Sequence, residues 1–223
     1  MKAFKYLLAA VMLSGMTANA QDIINLPKPE VSKWSMTTIE ALRTRHSTRE
    51  FADTPLSEQE ISTLCWAACG MSRDDNHRTS PTAKNRQEIR LFVFMKSGVY
   101  EYNVKNNSLD KKADGDKRGL LASAGHTAAN GMEAFRQDFV MDAPVSLLMV
   151  IDFDKFGSSD TKAQQMCAVD AGIVCENINL YCQSVGLVTV PRATHDNAGI
   201  CRLLGFTDKQ LPIMNNPVGK PKY

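Results

Sequence analysis

The alternation of hydrophobic and polar positions changes period several times along this chain, and each change marks an element. Thr37-Thr38-Ile39-Glu40 has the form of a capping box, in which a Thr hydroxyl and a Glu carboxylate satisfy each other's backbone amides. The helix it opens is expected to run to about Thr44 or Arg45. Ser57-Glu58-Gln59-Glu60 repeats the device and predicts a second helix ending near Cys69, with Gly70 beyond it. Met71 to Lys84 is polar without apolar period and reads as a loop. Ile89 to Met95 is rich in strand formers, Val99-Tyr100-Glu101-Tyr102 alternates, and Lys96-Ser97-Gly98 between them predicts a hairpin. Asn103 to Gly115 is a polar connection with room for one short strand.

Lys117 to Ala129 and Met132 to Phe139 have helical character. Val145 to Ile151 is a continuous apolar run, as in a strand buried on both faces. Lys162 to Val185 is the longest helical pattern, with Met166, Val169, Ile173, Ile178, Tyr181 and Cys182 on one side and Gly186 as its stop. Leu187 to Val190 reads as a strand, Asp196 to Leu204 as a helix capped by its Asp, and Leu211 to Val218 as a final extended segment. No repeat or linker divides the chain. A single domain is expected over 37–223, preceded by an extended arm over 21–36 that carries Pro27 and Pro29. Helices and strands mix without a regular βαβ rhythm, which favours an α+β fold.

The first twenty residues stand apart. Lys2 and Lys5 precede an apolar stretch from Leu7 to Leu13 that is too short to span a bilayer. Ala18-Asn19-Ala20 fits a signal-peptidase site, so residues 1–20 read as a secretory signal, with Gln21 starting an exported, periplasmic or secreted protein. Losing Lys2 and Lys5 takes the 26 basic residues to 24, equal to the 24 acidic ones. A neutral chain offers no electrostatic case for nucleic acid or an anionic membrane. The six cysteines (65, 69, 167, 175, 182 and 201) all follow the signal. Cys65 and Cys69, and Cys175 and Cys182, fall at helical spacings that rarely reach disulfide geometry, so small buried hydrophobes are expected. No C-x-x-C occurs, and the histidines do not pair with cysteines at zinc-site spacing, so no metal is expected.

Nucleophilic chemistry finds no support: there is no G-x-S-x-G, and no acidic pair has a spacing that demands acid–base work. No Walker loop and no G-x-G-x-x-G after a strand is present. What remains is polar residues at the ends of elements, which suits a bound cofactor that carries the reactive atoms itself. The basic run Arg45-His46-Ser47-Thr48-Arg49-Glu50-Phe51 closes the first helix, so that cationic and polar side chains crowd one helix end. Forked Arg donors of this kind match phosphate oxygens. Taken singly, Arg45 and Arg49 also suit the negative end of a helix dipole, Pro81 and Pro191 suit turns, and Lys220 suits solvent.

Four segments in this order carry more. Arg45 to Phe51, Ser80-Pro81-Thr82-Ala83-Lys84-Asn85-Arg86-Gln87, Pro191-Arg192-Ala193-Thr194 and Pro217-Val218-Gly219-Lys220-Pro221 resemble the FMN-dependent nitroreductase family, over about Thr37 to Pro221. The resemblance implies a three-layer α-β-α fold with a central mixed or antiparallel sheet, an intertwined homodimer and FMN sites at its interface. In its terms Arg45, His46 and Ser47 lie at the phosphate and ribityl end of FMN, and Arg49 beside the pyrimidine edge. Pro81, Thr82, Ala83, Asn85 and Gln87 reach a partner's flavin. Pro191, Arg192, Ala193 and Thr194 present backbone near flavin N5, and Gly219 and Lys220 return to the phosphate. It further implies two-electron hydride transfer, with NAD(P)H as a possible donor and nitroaromatics or quinones as acceptors. No protein acid or base is obligatory. Glu88 and Ile89 after Gln87, with Gly98 to Tyr102, resemble the branch that includes SagB-type azoline dehydrogenases. Dehydrogenation of an amino-acid-derived heterocycle, or flavin binding without turnover, therefore stays open beside the reductase reading.

Overall fold

The computed structural model describes residues 23–32, 36–125 and 135–223. The signal segment and its cleavage site lie outside the described residues, as do parts of the helices expected over 117–129 and 132–139. Both capping boxes form. Thr37 opens helix α1, Thr38–Thr44, with Glu40 N donating to Thr37 Oγ1 at 3.2 Å and Thr37 N donating to Glu40 Oε2 at 2.9 Å. Ser57 opens helix α2, Glu58–Cys69, in the same way. Each box satisfies amides that a helix N-terminus leaves without partners.

Among the described residues one antiparallel sheet has seven strands. They are β1 (Ile23–Asn25), β2 (Ile89–Met95), β3 (Gly98–Asn103), β4 (Ser108–Asp114), β5 (Val145–Asp152), β6 (Val188–Thr189) and β7 (Gln210–Gly219). Their spatial order is β1-β4-β3-β2-β5-β7-β6. β2 pairs with β5 over its whole length, Ile89 with Ile151 through Met95 with Val145. Period-two alternation sends their side chains to two cores. Ile89, Leu91, Val93, Leu147 and Met149 pack on one face against α2 and the long helix α5, Thr161–Ser184. Phe92, Phe94, Leu148 and Val150 pack on the other against α3, Gly119–Ala122, and the later helix α6, Asn197–Leu204. A short α4, Phe153–Phe156, follows β5. The result is helices on both faces of a central sheet, the α+β, three-layer fold expected.

Four details differ from the sequence reading. β4 is a full strand although Asp110-Lys111-Lys112 is poor strand material. It pairs on both sides, with β1 and β3, and that pairing outweighs propensity. The arm correspondingly contributes an edge strand, β1. The helix expected from Lys117 is cut to Gly119–Ala122 because its carbonyls are taken elsewhere: Leu121 O accepts from Arg192 Nη1 at 2.7 Å and Ala122 O from Gln137 N at 2.8 Å. Of the helix expected over 132–139, the described residues hold a 3-10 turn, Asp138–Met141.

The fourth concerns α5. Met166 and Val169 are exposed, while Cys167, Ala171, Val174, Ile178 and Cys182 face the sheet. A helix apolar on several sides does not show from its period which side meets the core. Gly186, at φ +74°, provides the left-handed step that turns the chain from α5 toward β6. Cys65, Cys69, Cys167, Cys175 and Cys182 are buried, and burial pushes the Cys69 and Cys175 thiols up to about 11, which makes them inert packing groups.

Candidate functional site

Arg45 is the C-cap of α1, where the backbone leaves the helix at φ −55°, ψ 126°. Its amide donates to Ala41 O at 2.8 Å, and His46 Nδ1 lies 2.9 Å from Thr44 O. Beyond it the chain runs extended. Thr48 N donates to Thr189 O at 3.0 Å, Phe51 bridges Pro221, and Ala52 N donates to Lys220 O at 3.0 Å. The first basic motif is thereby laced to β6 and to the end of β7. Gly219 permits the approach: a Cβ there would sit 2.9 Å from Pro144 Cδ and 3.0 Å from Phe51 Cδ1. Arg49, five residues past Thr44, has left the helix dipole, and the basic residues at that end are Arg43, in the last turn, with Arg45 and His46 after it.

The third segment meets the first. Arg192 bridges Asn215 on β7, with amide-to-carbonyl bonds of 2.8 and 2.7 Å in the two directions. Its side chain turns inward and is 6 % exposed. Nε donates to Gln137 Oε1 at 2.6 Å, and Nη1 to Leu121 O at 2.7 Å and to Asn215 Oδ1 at 2.6 Å, while Nη2 is buried with no partner. The guanidinium carbons of Arg192 and Arg49 lie 5.6 and 6.0 Å from the centroid of the Phe139 ring. Among the described residues no carboxylate pairs with either. Burial, and then the charge of Arg49, push the Arg192 pKa down to about 10, so it stays charged at neutral pH. Thr194 O accepts from Asn215 Nδ2 at 3.0 Å, and Ala193 is exposed beside it. The other cations are covered by acids: Arg45 Nε lies 3.9 Å from Glu176 Oε1, and Lys220 Nζ 3.4 Å from Glu60 Oε1. Surface pairs of this kind are worth about 0–1 kcal/mol, so an arriving anion can displace them.

The second segment lies elsewhere. No described contact joins Ser80–Gln87 to Arg49, Arg192 or Lys220. This loop docks on α5, where Ala83 N donates to Asp170 Oδ2 at 2.8 Å. It closes on itself through Gln87 N to Thr82 Oγ1 at 2.8 Å and Gln87 Nε2 to Asn85 Oδ1 at 3.1 Å. Lys84, Asn85 and Gln87 take φ of +54°, +52° and +54°. Left-handed geometry at residues other than glycine costs on the order of 1 kcal/mol each, and such strain clusters at functional segments.

Directly after the loop the structure holds an acidic pair that sequence spacing missed. Glu88 is 0 % exposed, and neither of its carboxyl oxygens has a donor. Its neighbours are Asp170 and Cys167, both on α5. Burial, and then Asp170, push the Glu88 pKa up to about 7. Two carboxylates are both acceptors, and a proton on Glu88 would supply the missing hydrogen. The residues stand 82 apart in sequence, and no local signal links them.

The profile that defines the nitroreductase family matches residues 42–220. The chain belongs to the nitroreductase family. A candidate nitroreductase of Methanocaldococcus jannaschii is 24% identical over 209 residues, covering 89% of this chain and 98% of that protein. The crystal structure of a candidate nitroreductase from Ralstonia eutropha superposes with a TM-score of 0.78 at 29% identity, over 90% of each chain. Nitroreductase A of Vibrio parahaemolyticus shares the fold, with a TM-score of 0.61 at 19% identity, over 84% of this chain and 70% of that one. Family and neighbours together support an oxidoreductase function.

Proposed function

We propose that this protein is an exported FMN-dependent oxidoreductase that carries two-electron transfer between a small donor and a nitroaromatic or quinone acceptor. The observation that carries the reading is the pair Arg49 and Arg192, cations without a carboxylate partner among the described residues, placed where the first and third motifs meet. An anionic cofactor fits such a place. Bound FMN supplies the hydride-accepting and hydride-donating chemistry. Arg45, His46, Ser47 and Lys220 hold its phosphate and ribityl end, with Glu176 and Glu60 giving up their ion pairs. Arg49 lies beside the pyrimidine edge, and the backbone of Pro191 to Thr194 borders the reactive face.

The protein works as a homodimer in this reading. Pro81, Thr82, Ala83, Asn85 and Gln87 serve the partner's site, which accounts for a strained loop that touches none of the other motifs in its own chain. Ile39 and Leu42 on α1 and Met166 and Val169 on α5 are exposed apolar side chains on packed neighbouring helices, suited to a subunit interface. The test is the absorption spectrum of the purified mature protein, followed by anaerobic mixing with NADH and NADPH. Flavin bands at one FMN per subunit, bleached by a nicotinamide donor and restored by a quinone or nitroaromatic, are expected. A protein colourless after reconstitution with FMN refutes the reading. Stable flavin that neither donor reduces favours the carrier or heterocycle-oxidising alternatives.

A further inference from the structure

We propose that the cavity between the sheet and α4 is a second binding site, which takes a phosphate-type oxyanion and is separate from the cofactor site. It stands without the FMN reading and gives a ligand to a part of the chain which that reading leaves unused.

The cavity has a volume of about 270 Å³ and lies among the start of β2, the end of β3 and α4. One water takes up roughly 30 Å³ in the liquid, so a tetrahedral oxyanion fits with part of its hydration shell. Strand register sets the place. Ile89, in the cavity wall, pairs with Ile151, while Val218, beside Gly219 and Lys220, pairs with Val145 at the other end of β5. The strand between Val145 and Ile151 spans about 20 Å. An anion in this cavity is therefore not the phosphate that the first motif and Lys220 would hold.

The charges of the wall do not cancel. Its cations are Arg78, Arg90, Lys105 and Lys155, and its carboxylates are Glu101 and Asp110. Both acids are occupied within the fold. Glu101 accepts from Arg90 Nε at 2.7 Å and Nη2 at 3.0 Å, and Lys112 Nζ lies 3.2 Å from it. Asp110 accepts from Asn103 Nδ2 at 3.3 Å and from Ser108 Oγ at 3.2 Å. Asp152, outside the wall, lies 3.7 Å from Arg90 Nη1.

What is left over is positive. Among the described residues Arg78, Lys105 and Lys155 have no carboxylate at ion-pair distance. Arg78 Nη1 donates to Ile89 O at 3.1 Å and Nε is buried with no acceptor, so the guanidinium is fixed and its charge unopposed. Lys155 is exposed along its length, and desolvation and then the charge of Arg78 lower its pKa from the ordinary lysine value, which Asp152 offsets only in part. The two cations crowd each other at one wall, and an anion beside them relieves the repulsion. An Arg fork matches the spaced oxygens of a phosphate, whereas chloride offers one charge and no such geometry.

The experiment is thermal unfolding and titration calorimetry of the FMN-saturated protein with sodium phosphate, against sodium chloride at equal ionic strength. Bound FMN keeps phosphate out of the first motif. If the protein takes up no FMN, the Arg45→Ala variant removes that motif's grip instead, so failure of the cofactor reading leaves the test intact. Phosphate should raise Tm by mass action and chloride should not. Arg78→Met should weaken phosphate binding roughly tenfold, as for the loss of one charge-assisted contact. Lys155→Met changes an exposed side chain and should weaken it by about threefold or more, so a variant remains if Arg78→Met fails to fold. Glycerol phosphate titrated in parallel distinguishes the sources: tighter binding than phosphate assigns the site to a phosphate monoester, equal or weaker binding to the free ion. Phosphate no better than chloride overturns the proposal, as does phosphate binding that is unchanged in either methionine variant. Binding that disappears in Arg45→Ala places the ion at the first motif and overturns it as well.

Discussion

Replacing Glu88 by Gln should abolish a pH dependence of stability that the wild-type protein must show. The folded chain raises the Glu88 pKa from 4.5 to about 7 by burying it against Asp170. Between these values the folded protein keeps a proton that the unfolded chain has released. Stability therefore falls as pH rises through that window and levels off above it. Each pKa unit is worth about 1.4 kcal/mol, so the full loss is at most about 3.5 kcal/mol. For a chain of this size that lowers Tm by up to roughly 7–14 °C, taking about 2–4 °C per kcal/mol. The glutamine side chain of the variant carries amide donors at every pH and can bond the Asp170 carboxylate without borrowing a proton.

The assay is thermal unfolding of both proteins from pH 5 to pH 9. At pH 5 the two should melt within a few degrees of each other. By pH 8 wild type should have dropped while Glu88→Gln has not, leaving the variant more stable. Parallel curves would refute a proton on Glu88 and show that the slope arises elsewhere. Because Asp170 also receives the Ala83 amide, the same titration should loosen the loop proposed to serve the partner's flavin. FMN retention in wild type should weaken over the same window and stay flat in the variant.

Three further outcomes are expected. Arg45→Ala should weaken FMN binding by roughly tenfold to a hundredfold, the equivalent of a charge-assisted hydrogen bond of about 1.5–3 kcal/mol, measured by fluorescence titration. Ser57→Ala should remove the cap of α2 and cost about 1 kcal/mol, seen as a lower urea midpoint with an unchanged m-value. Intact mass of the protein recovered from its native host should correspond to a chain starting at Gln21, and retention of Met1 to Ala20 would contradict export.

What the sequence made legible is local. The two capping boxes, the hairpin at Gly98 and the fully buried β5 are decided by residues within a few positions of each other, and all form as expected. What was illegible depends on partners far away. β4 looks too charged for a strand until its pairing on both edges is known. α3 looks like the start of a long helix until Arg192 and Gln137 occupy its carbonyls. Met166 and Val169 look like core because helical period fixes spacing, while the sheet chooses the face.

The candidate site divides along the same line. The motifs could be named from the chain because they sit at element ends, where polar residues have no packing reason to be. Their convergence could not, since it is made by backbone ladders between distant segments: Thr48 to Thr189, Phe51 to Pro221, Ala52 to Lys220 and Arg192 to Asn215. These contacts tie residues near 50 to the last few residues, so the cationic site is completed only when β7 has docked beside β5 and the chain beyond it has closed on the first motif. The inward turn of Arg192 has a similar origin. In sequence it is one basic residue after a proline. In the fold it sits over Phe139 with Gln137, Leu121 and Asn215 around it, and those residues come from three separate elements or turns. A buried cation with neutral partners is a long-range product of the fold, and it is there that the chemistry of this chain departs furthest from what its motifs alone express.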